Sequence, residues 1–202
     1  MTGQGERQII TGIKQPDLTS RERGAGLIIV ILVVAFMFSM GIAMMTITST
    51  GKRVADNVRS QKQAFNAAEA GFDAAWTYLN GLFTSEAWTS FEGHTLVDPS
   101  GIDLPSSFFY FRTRTDLEIF ALLDVNGDGN PDYGNILFYR QPYYRNSQGQ
   151  LDGRFTYTVF LIDDEAGMGA SDATDALLVC IGTFGVGDGI TTTRIEVELA
   201  NE

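Results

Sequence analysis

The chain has 202 residues, a formal net charge of −11, 44% hydrophobic residues, one Cys and one His. That length gives one domain with room for an appendage, and such hydrophobicity with only 19% charged residues excludes a mostly disordered chain. A single Cys excludes an intrachain disulfide framework and a Cys-rich zinc site, and a single His excludes a His-cluster metal centre. The acidic balance argues against nucleic acid as a partner, because phosphate binding needs clustered Lys and Arg.

Residues 1–24 carry Arg7, Lys14, Arg21 and Arg23 against Glu6, Asp17 and Glu22. From Gly24 to Gly51 there is no charged residue, and Ala25 to Ile47 reads AGLIIVILVVAFMFSMGIAMMTI, 23 residues with a Leu/Ile/Val-rich centre. At about 1.5 Å per residue this run crosses a hydrocarbon core about 30 Å thick. A core helix of a soluble domain would show a polar face, and this one has none. The run is too long for a secretory signal, and no small-residue cleavage site ends it. Arg21 and Arg23 hold the N-terminus in the cytoplasm, a bias that Lys52 and Arg53 weaken. The part beyond the membrane is then outside, and it is strongly acidic: from Ser85 onward 19 acidic residues face 6 Arg and no Lys.

After Gly51 the apolar positions are Val54, Val58, Phe65, Ala68, Phe72, Ala75, Trp76, Leu79 and Leu82. Steps of three, four and seven place them on one helical stripe, with Lys52, Arg59, Lys62, Asn66, Glu69 and Asp73 elsewhere. The Ala-rich stretch from Ala64 to Ala75 favours helix, and no Pro occurs between Pro16 and Pro99. One helix is predicted from about Gly26 to about Asn80, apolar all round in its first half and needing a partner surface in its second.

These features carry a resemblance. The segment RERGAGLIIVILVV resembles the processing region of prepilins, with a prepilin peptidase cutting between Gly24 and Ala25. The segment from Asn57 to Trp76, NVRSQKQAFNAAEAGFDAAW, is similar to the signature of PilX-class minor pilins: Asn-x-Arg, then Ala-Phe and Ala-Ala-Glu-Ala. The similarity covers about residues 20–80. It implies an α+β, pilin-like αβ-roll, in which a long N-terminal transmembrane helix continues into an amphipathic helix packed on an antiparallel sheet. The implied organisation is a cytoplasmic leader (1–24), a transmembrane helix (25–50), its amphipathic continuation (51–82) and an exported β-rich domain (83–202). Major pilins carry Glu at the fifth mature position, where it pairs with a neighbour's amino terminus; counted from Ala25 that position is Ile29. An unpaired carboxylate within the bilayer is costly, so Ile29 removes both a cost and a docking contact. This departure points to a tip or priming subunit.

Beyond Gly81 the periodicity falls towards two. Predicted strands are Phe108–Thr115, Glu118–Leu123, Asn135–Arg140, Phe155–Ile162, Ala176–Phe184 and Thr192–Leu199, rich in Phe, Tyr, Ile, Val and Thr. The last two read as a hairpin turning through Gly185–Gly189. A sheet packed on the amphipathic helix is expected to bury Phe65, Phe72, Trp76 and Leu79, in a domain large enough for one core. Residues 84–107 and 141–154, with Pro99, Pro105 and Pro142, are expected to be loops.

The sharpest local motif is Asp124-Val-Asn126-Gly-Asp128-Gly129-Asn130-Pro-Asp132. Oxygen-bearing side chains stand at positions one, three, five and nine, with Gly at six, and Asn130 offers its backbone carbonyl at seven. Ca²⁺ takes six to eight oxygens around one point, which alternating ligands in a tight turn supply. Asn135 stands where an EF-hand has its bidentate Glu, and strands are expected on both sides. The loop therefore resembles the DxNxDGxxD calcium loops of β-rich extracellular proteins more than an EF-hand. An Asp/Asn/Gly turn without metal uses the same residues.

Other groups are read more plainly. Asp163, Asp164, Glu165, Asp172 and Asp175 are spaced loosely, as in a solvated loop. No spacing shows two carboxylates facing one cleft for glycosidase-type chemistry. His94 is read as a surface residue, Cys180 as a buried structural thiol, and Arg112 and Arg114 as ion-pairing residues on one strand face. Gly185–Gly189 lacks the following Lys-Ser/Thr of a phosphate loop.

The sequence thus predicts a non-enzymatic minor pilin or pseudopilin with no catalytic residues and a calcium loop. Its expected partners are other pilin subunits through the N-terminal helix, prepilin peptidase, and the lipid bilayer before assembly. The expected location is the inner membrane, single-pass with a cytoplasmic N-terminus, and then the pilus or cell surface. The rivals are a permanently anchored calcium-binding adhesion domain that never polymerises and a membrane-tethered hydrolase using acidic residues.

Overall fold

The computed structural model describes residues 19–163 and 173–201. Most of the expected leader, and Asp164, Glu165 and Asp172, lie outside them. The elements are α1 (Thr19–Thr84), α2 (Asp116–Leu123), β1 (Ile136–Pro142), β2 (Phe155–Ile162), β3 (Asp175–Phe184) and β4 (Thr191–Ala200), with short 3₁₀ turns at Phe111–Thr113 and Gly187–Gly189. The chain divides into two units, residues 1–53 and 54–202, and α1 contributes to both.

In the first unit, every residue from Ala25 to Arg53 is exposed. Leu27 keeps 65% of its surface, Phe38 72% and Met45 78%. The polar residues at the end of the apolar run turn their hydroxyls back onto the helix. Thr46 donates to the Ile42 carbonyl at 3.0 Å, Thr48 to Met44 at 2.9 Å, and Ser49 and Thr50 to Thr46 at 3.0 and 2.9 Å. With backbone groups satisfied along the helix and hydroxyls satisfied locally, the segment suits a medium that offers no hydrogen bonds.

In the second unit the four strands form an antiparallel meander in the order β1-β2-β3-β4. β2 is buried along its whole length and β3 along all but its two ends, which requires cover on both faces of the sheet. One face carries Tyr157, Val159, Leu161, Leu178 and Cys180 and packs with Ala75 and Leu79 of α1. The other carries Phe160, Ile162, Val179 and Ile181 and packs with Phe111, Ile119, Phe120 and Leu123. The sheet therefore lies between α1 and a second layer built from α2 and the irregular segment before it. This agrees with the expected α+β pilin-like fold, and β2, β3 and β4 lie within one residue of their predicted ends.

Two predicted strands are absent. Phe108–Thr115 and Glu118–Leu123 are not strands; the first contains the 3₁₀ turn Phe111–Thr113 and the second lies within α2. The helix is started by a reciprocal cap: the Thr115 hydroxyl accepts the Glu118 N–H at 3.3 Å, and a Glu118 carboxylate oxygen accepts the Thr115 N–H at 2.8 Å. Arg194 on β4 then anchors the first turn of α2, donating to Asp116 at 2.8 Å and to the Phe111 carbonyl at 3.0 Å.

The buried stripe of α1 also differs from the predicted one. Ala64, Ala67, Ala68, Gly71, Ala75 and Leu79 face the sheet, whereas Phe65 stays 44% and Trp76 55% exposed and Phe72 is half-buried. The cause is close approach. A Cβ added at Gly182 of β3 would collide with the Ala64 carbonyl oxygen and the Ala68 nitrogen. Helix and strand backbones are nearly in contact there, and only small side chains fit between them.

Candidate functional site

The first functional surface is α1 itself. Gly24 and Ala25, the expected processing point, lie near the N-terminal end of the helix. Ile29, in the place of the usual Glu, is 62% exposed within an unbroken apolar surface. In the second unit the large apolar side chains turned away from the sheet form a ridge. Val54, Val58, Phe65 and Trp76 keep 57%, 46%, 44% and 55% of their surface, and the Phe72 and Trp76 rings stack with centroids 6.4 Å apart. Steps of four, seven and eleven residues keep these four on one side of the helix.

The acidic loop Asp124–Asp132 follows α2 directly and leads to β1. The expectation of flanking strands is therefore corrected on its N-terminal side, where a helix runs into it. The loop closes around its own side chains. The Asp124 carboxylate accepts the N–H groups of Asp128 at 3.1 Å and Gly129 at 3.0 Å. Asn126 Oδ1 accepts the Asp128 N–H at 2.8 Å, and Asp128 accepts the Asn130 N–H at 2.8 Å. Asp132 accepts from Val125 N–H at 2.6 Å, Asn126 N–H at 3.2 Å and the Asn126 amide at 2.8 Å. Gly129 sits at φ +87°, where a side chain would be strained. The Tyr139 hydroxyl lies 3.5 Å from Asp124, and its pKa is raised, first by burial and then, against the opposing Arg140, by Asp124. Among the described residues no three His, Cys, Asp or Glu side chains converge on one point that would hold a metal ion. Every carboxylate of the loop faces backbone N–H groups instead.

The remaining sequence candidates are placed as follows. Asp163 and Asp175, with Glu92 and Thr95, line a cavity of about 320 Å³. Asp103, which the sequence did not single out, is buried, and its pKa is raised, first by desolvation, with Asp163 and Asp98 adding to it against its own backbone hydrogen bond. His94 is half-buried and stacks on Trp88, ring centroids 3.7 Å apart. Cys180 is buried, and burial pushes its thiol up to about 12, so it is not a nucleophile at neutral pH. Arg112 pairs with Glu196 at 2.9 Å from the 3₁₀ turn, and Arg114, the extended residue just after that turn, pairs with Glu118 at 3.3 Å; neither stands on a strand face.

Comparison with known proteins bears on one part of the chain. Searches of curated proteins and of solved structures return no match. Residues 23–73 match the family model described as PilX N-terminal, which spans the processing point, the apolar run and most of the ridge. Residues 23–73, about a quarter of the chain, are thus similar to the PilX N-terminal domain, which supports a role related to type IV pilins.

Proposed function

We propose that the protein is a minor pilin: inserted in the inner membrane with its N-terminus in the cytoplasm, cut after Gly24, and passed by its apolar helix from lipid into a type IV pilus or secretion pseudopilus. One observation carries this reading: a 23-residue uncharged run whose side chains are all exposed, inside a segment that matches the PilX N-terminal family. Each large apolar side chain left in water instead of lipid or protein costs about 1.5–3 kcal/mol. The segment therefore needs a bilayer or other helices, and transfer must run from one to the other without an aqueous stage. The ridge at Val54, Val58, Phe65 and Trp76 offers further apolar surface to neighbouring subunits. Ile29 favours a tip or priming position, where no subunit above offers an amine to a carboxylate. The protein acts as a structural subunit and not as an enzyme.

Calcium binding is part of the proposal. Asp124, Asn126, Asp128 and Asp132 supply alternating side-chain oxygens and Asn130 a backbone carbonyl. Two carboxylate oxygens present about four lone-pair sites, so those already accepting N–H groups keep capacity for a cation once they turn inward. A bound Ca²⁺ would neutralise three carboxylates and fix the link between α2 and β1. Calorimetry on the full chain in detergent is expected to give a binding heat that Asp128→Ala removes; no heat at millimolar Ca²⁺ overturns this element.

Chemical sequencing of fibre-associated protein tests the main reading. An N-terminus at Ala25 is expected. Retention of Met1 in assembled material overturns processing and favours the rival, a permanently anchored adhesion domain.

A further inference from the structure

The Arg residues of the acidic domain are not used alike. Arg112, Arg114, Arg154 and Arg194 each meet a carboxylate, and Arg145 donates to the Gly149 carbonyl at 2.8 Å. The Arg140 guanidinium makes neither an ion pair nor a hydrogen bond among the described residues. It stands over the Phe120 ring, 5.1 Å from the centroid, and 5.7 Å from that of Tyr139. A bulge aims it there: between the pairs Phe138↔Val159 and Gln141↔Tyr157, two residues of β1 face one of β2. Arg140 takes φ +43°, and its N–H donates to the Thr158 hydroxyl at 3.0 Å.

Beside Arg140 lies a cavity of about 320 Å³, reached by Phe120, Thr156, Thr183 and Gly185 and separate from the acidic loop and from α1. Thr156 and Thr183 are directly paired across β2 and β3. Thr183 is only 8% exposed, and its hydroxyl has no hydrogen-bond partner among the described residues. A buried hydroxyl left unpaired is costly and calls for an explanation. A cation without a counter-ion among the described residues, a buried hydroxyl without a partner among them and an aromatic wall thus share one cavity.

We infer that this cavity is a binding site for a small carboxylate with a short hydrocarbon part. Arg140 meets the carboxylate, the Thr183 hydroxyl donates to one of its oxygens, and Phe120 packs on the hydrocarbon part. Arg is suited to this because its planar fork matches a carboxylate and is weakly hydrated. The apolar wall separates this class from inorganic phosphate, which offers charge but nothing for Phe120 to cover.

The test is calorimetric titration of the full chain in detergent with butyrate, acetate and inorganic phosphate at fixed ionic strength. Butyrate is expected to bind more tightly than acetate or phosphate. Arg140→Gln is expected to weaken it at least tenfold and Thr183→Val several-fold. Because Thr183→Val removes an unpaired hydroxyl at nearly constant shape, its thermal midpoint should match or exceed that of the parent, which separates lost binding from lost folding. Absence of butyrate binding at tens of millimolar, equal binding by Arg140→Gln, or tighter binding of phosphate than of butyrate overturns the assignment.

Discussion

Residues 25–53 and residues 54–202 put similar apolar side chains to opposite uses. In the first unit Leu, Ile, Val, Phe and Met are all exposed, and not one residue of the apolar window is buried. In the second, Phe111, Ile119, Leu123, Phe160 and Ile181 are excluded from solvent on one side of the sheet, and Val159, Leu178 and Cys180 on the other. The second unit supplies its own apolar environment; the first has to find one. A unit with its own core joined to a helix that needs surroundings suits the proposed passage of that helix from lipid to fibre.

That contrast can be broken at either end. The largest effect is expected inside the sheet domain: Phe111→Ala, at a site with no solvent exposure, should cost about 4 kcal/mol by thermal unfolding of the full chain in detergent. In the first unit the same method should register little. There, Val33→Arg should instead cost about 3 kcal/mol in a membrane-insertion assay, leaving the unfolding midpoint of the sheet domain in place. Loss of the α2 cap is smaller. Thr115→Ala removes the hydroxyl that accepts the Glu118 N–H and should cost about 1 kcal/mol. The same change should let the Glu118 carboxyl titrate at higher pH, since the Thr115 N–H first and its hydroxyl next hold it below the ordinary range. The smallest stability change is expected on the ridge: Phe65→Ser should stay within about 0.5 kcal/mol yet reduce incorporation into fibres.

How much of this could be read beforehand depended on which signal each element used. The apolar run and strands β2–β4 announce themselves by charge-free length and by β-branched and aromatic composition. The segment Glu118–Leu123 does not, because a six-residue apolar run fits a buried strand or a helix equally well. The deciding signal was Thr115-x-x-Glu118, a capping pattern just ahead of it. The side of α1 that meets the sheet was misplaced because hydrophobicity favours Phe65 and Trp76 over alanines. The selection of small residues is set by Gly182, more than a hundred residues away, and no periodicity carries that. The acidic loop was visible as a motif, though not as a turn closed on its own N–H groups. The Arg140 cavity had no local signature at all, since it is assembled from α2, three strands and a hairpin.

The central claim is that the exposed apolar helix exchanges lipid for the helices of other subunits. A photoreactive amino acid at Phe38, 72% exposed, tests it most directly when activated separately in isolated membranes and in sheared fibres. The account predicts lipid adducts in the membrane fraction and adducts with other pilin subunits in the fibre fraction. Lipid adducts alone, with no chain recovered in the fibres, would contradict it.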